Sequence, residues 1–214
     1  MVISKKISLL FAALISLFNT IQPTSNLIPM FTQFETERLI IRKLELSDVQ
    51  DCFAILSDYR VVSMNGALSL HTLIHETESF ILDAQAKYAL NHLQWLAVEE
   101  KNSHKMIGMI GFETITSKFY RAEIAYAFAY DYWGKGYATE AIKALVDLGF
   151  RYMNLNRIFA SVDPENARSI RVLEKLGMQR EGYLRQNIFH NNAFRDRLIY
   201  SILKEEWLQQ SNNS

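Results

Sequence analysis

One cysteine, Cys52, stands in the whole chain, which excludes an intrachain disulfide framework and a cysteine-rich zinc site and removes any call for an oxidising compartment. Neither sign of charge predominates. Lys plus Arg and Asp plus Glu number 23 each, so the basic excess that gives nucleic-acid binders their phosphate affinity is missing and no nucleic acid is expected among the partners. No apolar run reaches the roughly 20 residues that a membrane-spanning helix needs. Disorder is excluded by the opposite kind of count: 49% of the residues are hydrophobic against 21% charged. A length of 214 residues then accommodates a single globular domain. Proline is scarce, three in all, and two of them, Pro23 and Pro29, fall within the opening segment.

That opening segment differs in composition from everything after it. Met1 to Met30 hold Lys5 and Lys6 and no acid, leaving 21 basic and 23 acidic side chains to residues 31–214. The two lysines precede an apolar run from Ile7 to Phe18, in the manner of the charged and hydrophobic regions of a secretory signal. No Ala-x-Ala cleavage site follows in Asn19 to Ser25. Residues 1–29 are therefore read as an apolar leader, signal-like or else artefactual with Met30 as the start, residues 30–207 as the domain, and residues 208–214 as a polar tail.

Within the domain, Arg38 to Arg42 reads as a strand, and Ser47 and Asp48 offer N-caps to a helix from Val49 to Leu56. Ser69 can cap a longer helix running toward Leu90. Trp95 to Val98, Met106 to Phe112 and Ala122 to Tyr130 read as strands of an antiparallel meander, separated by polar turns. Apolar residues at Ala138, Ala141, Ile142, Leu145, Val146 and Leu148 have helical spacing over Gly136 to Met153, and a short strand, Arg157 to Val162, follows. A helix from Ala167 to Leu176 stops on Gly177, strands near Met178 to Phe189 and Phe194 to Leu203 come last, and an exposed polar tail closes the chain. The class is α/β or mixed α+β around one core.

Chemistry is concentrated in Ala122 to Ala141. Its strand half alternates, with Ile124, Tyr126, Phe128 and Tyr130 on a bulky face and Glu123, Ala125, Ala127 and Ala129 on a small one. Gly134 and Gly136 then fall between a strand and a helix N-terminus, where free backbone N–H groups and the helix dipole favour a phosphate or pyrophosphate. A P-loop is excluded because no Gly-Lys-Ser/Thr follows, and a dinucleotide fingerprint because Thr139 stands at its third small position.

With this loop, two further blocks make the chain similar to a known family. Phe34-Glu35-Thr36-Glu37-Arg38-Leu39-Ile40-Ile41-Arg42, Trp133-Gly134-Lys135-Gly136-Tyr137-Ala138-Thr139-Glu140-Ala141, and Asn166-Ala167-Arg168-Ser169 through Leu173-Glu174-Lys175-Leu176-Gly177-Met178 together resemble the GNAT superfamily of acyl-CoA-dependent N-acetyltransferases, specifically its Rim-type branch that acetylates protein N-termini. The resemblance spans about residues 31–207. It implies a central, mostly antiparallel twisted sheet with about four flanking helices, in which strands near 122–130 and 157–162 splay apart to admit the pantetheine arm. It also implies that Gly134, Lys135, Gly136, Tyr137, Ala138 and Thr139 offer backbone N–H groups to the pyrophosphate of acetyl-CoA, that Asn166 contacts the arm, and that no metal takes part.

Many relatives carry a tyrosine general acid where Leu173 stands, and leucine has no proton to give. Ser169, one turn earlier, is therefore the expected acid. For the base, Glu123 on the small face of its strand is the first choice, with an ion-pair or solvated role as the alternative; a carboxylate suffices for an α-amine, whose pKa lies near 8 rather than the 10.4 of lysine. Some Rim-type relatives place a Glu after a Leu-Lys/Arg-Gln run, but here Leu184-Arg185-Gln186 is followed by Asn187 and Ile188, so a reaction without a dedicated base stays open.

His71 and His75 have metal-ligand spacing without a third ligand and read as an exposed helix face; Cys52 reads as a buried small hydrophobe; Asp196 reads either as an ion pair with a flanking arginine or as a substrate contact. The resulting expectation is an enzyme that moves acetyl from acetyl-CoA directly to a primary amine, here a protein N-terminal α-amine, working as a monomer or homodimer. A small-molecule amine acetyltransferase and a non-catalytic acyl-CoA sensor are the alternatives. Acetyl-CoA is a cytoplasmic metabolite, so the expected location is the cytoplasm, the alternative being export or membrane tethering through residues 1–29.

Overall fold

A computed structural model describes residues 33–89 and 92–212, so the leader over 1–29 lies outside the described residues. In chain order the elements are β1 (Gln33–Glu35), β2 (Leu39–Lys43), α1 (Val49–Leu56), α2 (Tyr59–Val62), α3 (Ile74–Ala89), β3 (Leu96–Glu100), β4 (Lys105–Thr116), β5 (Arg121–Phe128), α4 (Tyr137–Tyr152), β6 (Arg157–Val162), α5 (Ala167–Lys175), β7 (Gln179–His190), β8 (Ala193–Leu203) and α6 (Lys204–Asn212). The eight strands form one sheet in the order β1-β2-β3-β4-β5-β6-β8-β7. Every neighbouring pair is antiparallel except β5 and β6. The expected mixed α/β class and mostly antiparallel sheet are what the chain adopts.

Several boundaries differ from the sequence reading for identifiable reasons. The first block is a hairpin rather than one strand, because the Thr36 backbone N–H donates to the Leu39 carbonyl (2.9 Å) and the Leu39 N–H returns to the Thr36 hydroxyl (3.0 Å), closing a turn between β1 and β2. The long helix starts at Ile74 rather than after Ser69, since the Glu76 carboxylate accepts from the Thr72 and Leu73 N–H groups at 2.6 and 2.9 Å and so caps it there. His71 consequently precedes the helix, bonded through Nδ1 to the Thr77 hydroxyl at 2.8 Å, and shares no helix face with His75. The meander strand ends at Phe128; Tyr130 belongs to a 3₁₀ turn, Tyr130–Tyr132. The polar tail is helical as far as Asn212, because Trp207 buries its ring beside Phe150 and donates from Nε1 to Asp147 at 3.0 Å.

The core holds the site's two supporting elements rigidly. On α4 the fully buried Ala141, Ile142, Leu145, Val146 and Phe150 recur at helical spacing and face the sheet, each larger side chain contributing about 1.5–3 kcal/mol through burial. Cys52 is completely buried within α1, and that burial pushes its thiol up to about 12, as a packing residue requires. The C-terminus of α5 closes on Gly177 (φ 76°), with the Met178 N–H donating to the Leu173 carbonyl at 3.1 Å and the Gly177 N–H to Glu174 at 2.9 Å. Among the described residues no helix is long and apolar enough to cross a membrane.

The sheet opens where β5 meets β6. These two strands pair in parallel only through Arg121 with Arg157, Ala122 with Ile158 and Glu123 with Phe159. Beyond Glu123 they diverge, and β6 turns to β8, pairing with it along its whole length. The backbone groups of β5 that face this gap have no strand to bond to.

Candidate active site

The gap widens into a cleft of about 860 Å³ bounded by β5, β6, the loop before α4, one side of α5 and the segment after α2. Two β5 carbonyls past the point of divergence are capped by side chains: Trp133 Nε1 donates to the Phe128 carbonyl at 2.7 Å and Asn65 Nδ2 to the Tyr126 carbonyl at 3.0 Å.

At one end of the cleft stands the glycine loop. Gly134 (φ 73°) and Gly136 (φ 86°) both adopt the left-handed conformation, and Gly136 is the N-cap of α4. The first N–H groups of α4, on Tyr137, Ala138 and Thr139, have no partner within the helix, and those three residues line the cleft. Gly134, Gly136 and Asn166 line it too; Lys135 does not, and its carbonyl accepts from Arg38 Nη1 at 3.0 Å.

Arg38 does more than hold that carbonyl. Its Nε donates to Glu140 Oε2 at 2.6 Å and its backbone N–H to Glu140 Oε1 at 2.9 Å, while the Thr36 hydroxyl donates to the same Oε1 at 2.5 Å. Burial works to raise the Glu140 carboxyl, but these bonds from Thr36 and Arg38 hold it below the usual carboxylate range. The guanidinium also sits over the Tyr137 ring, 4.3 Å from its centroid. The β1–β2 turn therefore grips both ends of the glycine loop, a role for Thr36, Arg38 and Glu140 that local pattern does not reveal.

Three cations of α5, namely Arg168, Arg171 and Lys175, line the same cleft, with the Arg168 guanidinium 4.9 Å from the Trp133 ring centroid. Their helical spacing was readable in the sequence; its meaning was not. A helix N-terminus, two left-handed glycines and three cations suit a polyphosphate, and the strand gap suits an extended arm. The residues present thus fit acetyl-CoA.

Asn166 caps α5, its Oδ1 accepting from the Ser169 N–H at 3.0 Å, which leaves its amide NH₂ for a ligand. Ser169 Oγ lies 2.6 Å from Tyr126 Oη. Burial pushes the Tyr126 phenol up to about 12, against a smaller lowering by the bond to Ser169, so it is neutral and protonated at physiological pH.

Acids gather at the other end. Glu123 faces the cleft, accepts a backbone hydrogen bond from Ser161 on β6, and has its carboxyl pushed up to about 7, chiefly by burial and then by the neighbouring Glu113. Glu113, absent from the sequence reading, is the extra residue of a bulge in β4: the pairing steps from Phe112–Ile124 to Thr114–Glu123 and passes it by. Burial raises its carboxyl as well. Its only sequence signal is a charge directly after an apolar strand. Arg197 of β8, also missed, completes this end; it is 2% exposed.

Asp196 pairs with neither flanking arginine. It accepts from the Tyr183 hydroxyl and, at 2.7 Å, from the Gln186 N–H, and so braces the irregular stretch of β7 between Leu184 and Ile188. Among the described residues no group of three His, Cys, Asp or Glu side chains is placed to hold a metal.

Comparison with known proteins agrees with this geometry. The family model described as an acetyltransferase (GNAT) domain matches residues 38–179. An uncharacterised N-acetyltransferase of Bacillus subtilis (strain 168), YoaA, is 36% identical over 176 residues, covering 82% of this chain and 98% of that protein. A GNAT-family acetyltransferase structure from Bacillus anthracis has a TM-score of 0.73 at 33% identity, covering 82% of this chain and all of the other. The structure of a ribosomal-protein-S5-alanine acetyltransferase from Vibrio fischeri has a TM-score of 0.72 at 25% identity, covering 83% of this chain and 99% of that one. The chain belongs to the GNAT acetyltransferase family and is an acyl-CoA-dependent N-acetyltransferase.

Proposed function

We propose that this GNAT-family enzyme belongs to the Rim-type branch and acetylates the α-amine of a protein N-terminus in the cytoplasm, with Glu123 as base and Ser169 as acid. The observation that carries the reading is the Glu123 carboxyl, pushed up to about 7 at the acid end of the cleft. A base of that strength is matched to an α-ammonium of pKa near 8 and poorly matched to a lysine near 10.4. The similarity to the S5-alanine acetyltransferase supports the same acceptor class.

In this scheme acetyl-CoA, bound as substrate, supplies the activated acyl group. Gly134, Gly136, Tyr137, Ala138 and Thr139 bind the pyrophosphate, Lys135 anchors that loop through its carbonyl bond to Arg38, and Asn166 holds the arm in the strand gap. Glu123 takes the proton from the incoming ammonium, the freed amine attacks the acetyl carbonyl, and the carbon–sulfur bond breaks. Ser169 donates its hydroxyl proton to the departing thiolate and is resupplied by Tyr126, whose hydroxyl lies within hydrogen-bond reach. Release of free thiol from acetyl-CoA, measured with a free-N-terminus peptide, with the same peptide N-terminally blocked but carrying an internal lysine, and with spermidine, tests the assignment. Turnover fastest with the free N-terminus is expected; turnover fastest with the blocked peptide or with spermidine would overturn the α-amine reading.

A further inference from the structure

The acid end of the cleft contains a cation whose hydrogen bonding is incomplete. Arg197 is buried, yet its Nη1 makes only long contacts, 3.5 Å to the Met64 carbonyl and 3.6 Å to Asp163 Oδ2. Its Nη2 has no hydrogen-bond partner among the described residues. A guanidinium carries five N–H donors, and burying one unpaired is costly, so native proteins seldom leave a buried donor without a reason. The loop after α2 makes room for this one: at Gly66 a Cβ would stand 2.5 Å from Nη2. The side chain lines the same cleft as Glu113 and Glu123, and its charge is felt by both carboxylates.

A ligand that satisfies Nη2 must bring an acceptor oxygen, and one that uses Glu123 must bring an amine. Polyamines have the second feature and lack the first; protonated, they also add positive charge beside the guanidinium. The α-amino acyl unit has both, its carbonyl oxygen three bonds from the reacting nitrogen. We propose that Arg197, whose side chain lines the cleft, is the acceptor-recognition residue, its guanidinium turning from the Gly66 loop, where Nη2 is buried unpaired, to donate to the carbonyl or carboxylate oxygen of an α-amino acyl acceptor while the amine of that unit faces Glu123. This rests on the acetyl-transfer reading above and sharpens it, because it makes the oxygen as necessary to recognition as the amine.

The test is steady-state thiol release by the full chain at saturating acetyl-CoA, with four acceptors: a tripeptide amide with a free N-terminus, alaninamide, isobutylamine and spermidine. For the wild type, kcat/KM should be at least tenfold higher for the two carbonyl-bearing acceptors, and the ratio between those two separates a peptide N-terminus from a free amino-acid derivative. Arg197→Met and Arg197→Lys should each cut that advantage at least tenfold through KM, over and above any change shared with isobutylamine through Glu123, and leave the Kd for acetyl-CoA as it was. Should Arg197→Met fail to fold, Gly66→Ala, whose Cβ would displace Nη2, should show the same selective loss. An equal fall for all four acceptors would mean that Arg197 serves only to offset the two carboxylates, and overturns the proposal. Retention of the carbonyl preference by folded variants overturns it while leaving acetyl transfer to α-amines intact. Wild-type turnover fastest with spermidine, or with none of the amines, overturns both.

Discussion

The hydroxyls of Tyr126 and Ser169, from a strand and a helix on either side of the coenzyme cleft, lie 2.6 Å apart. A serine alone is a weak acid at neutral pH, but one hydrogen-bonded to a protonated phenol is resupplied as it gives its proton away. With Ser169 as the acid, as proposed, Tyr126 would fill from β5 the place left by Leu173 on α5.

Ser169→Ala should lower kcat/KM by about 10²–10⁴-fold, the usual range for a general acid, with folding intact. Tyr126→Phe should lower it less, about tenfold or more. The double variant should be little worse than Ser169→Ala alone, since residues acting as a unit are not additive. Thiol-release kinetics on the three variants check this, and full additivity would separate the two hydroxyls functionally.

Glu123 has a definite pH signature. As a base it works only when ionised, so kcat/KM should fall as pH drops through about 7, and Glu123→Gln should lower the plateau and alter that acidic limb. Stability moves in the opposite sense. With its folded pKa raised above the ordinary carboxylate value, the carboxyl retains a proton in the folded state that the unfolded chain has already lost, so stability falls as pH rises from about 4.5 to about 7. Thermal denaturation should therefore find Glu123→Gln more stable than wild type at pH 8 and no more stable at pH 4.

Gly136→Ala tests the loop. The substitution forces a side chain onto a residue at φ 86° and places a Cβ 3.3 Å from Arg38 Nη2, at a strain of about 1–2 kcal/mol. Calorimetry should show acetyl-CoA binding weakened about tenfold or more, equivalent to about 1.4 kcal/mol. Equal affinity in a folded variant would remove the phosphate-loop assignment.

Arg38 and Glu140 should behave as supports of that loop and not as reacting groups. Arg38→Ala and Glu140→Gln are each expected to raise the Kd for acetyl-CoA several-fold while kcat at saturation changes little. Arg38→Lys should not rescue, because a single ammonium cannot serve Glu140 and the Lys135 carbonyl from one planar fork. Paired calorimetry and saturation kinetics distinguish this outcome from a catalytic defect.

Contiguous features are legible in the sequence itself. The alternation of β5, the glycines before α4 and Gly177 at the end of α5 are written within short windows, because N–H supply at a helix N-terminus and left-handed backbone at a cap depend on neighbours in the chain. The elevated pKa of Glu123 was not legible, since it comes from burial and from Glu113, which a bulge in a different strand brings alongside. Arg197 and the clamp of Thr36 and Arg38 on Glu140 were hidden for the same reason: sheet order, and not proximity in sequence, decides which distant charges share a cavity. The cleft itself is a relation between strands. Neither β5 nor β6 carries a signal for where they part; that is set by β6 pairing along its length with β8 while β5 stays with β4, so only the assembled sheet opens the space that the glycine loop was built to serve.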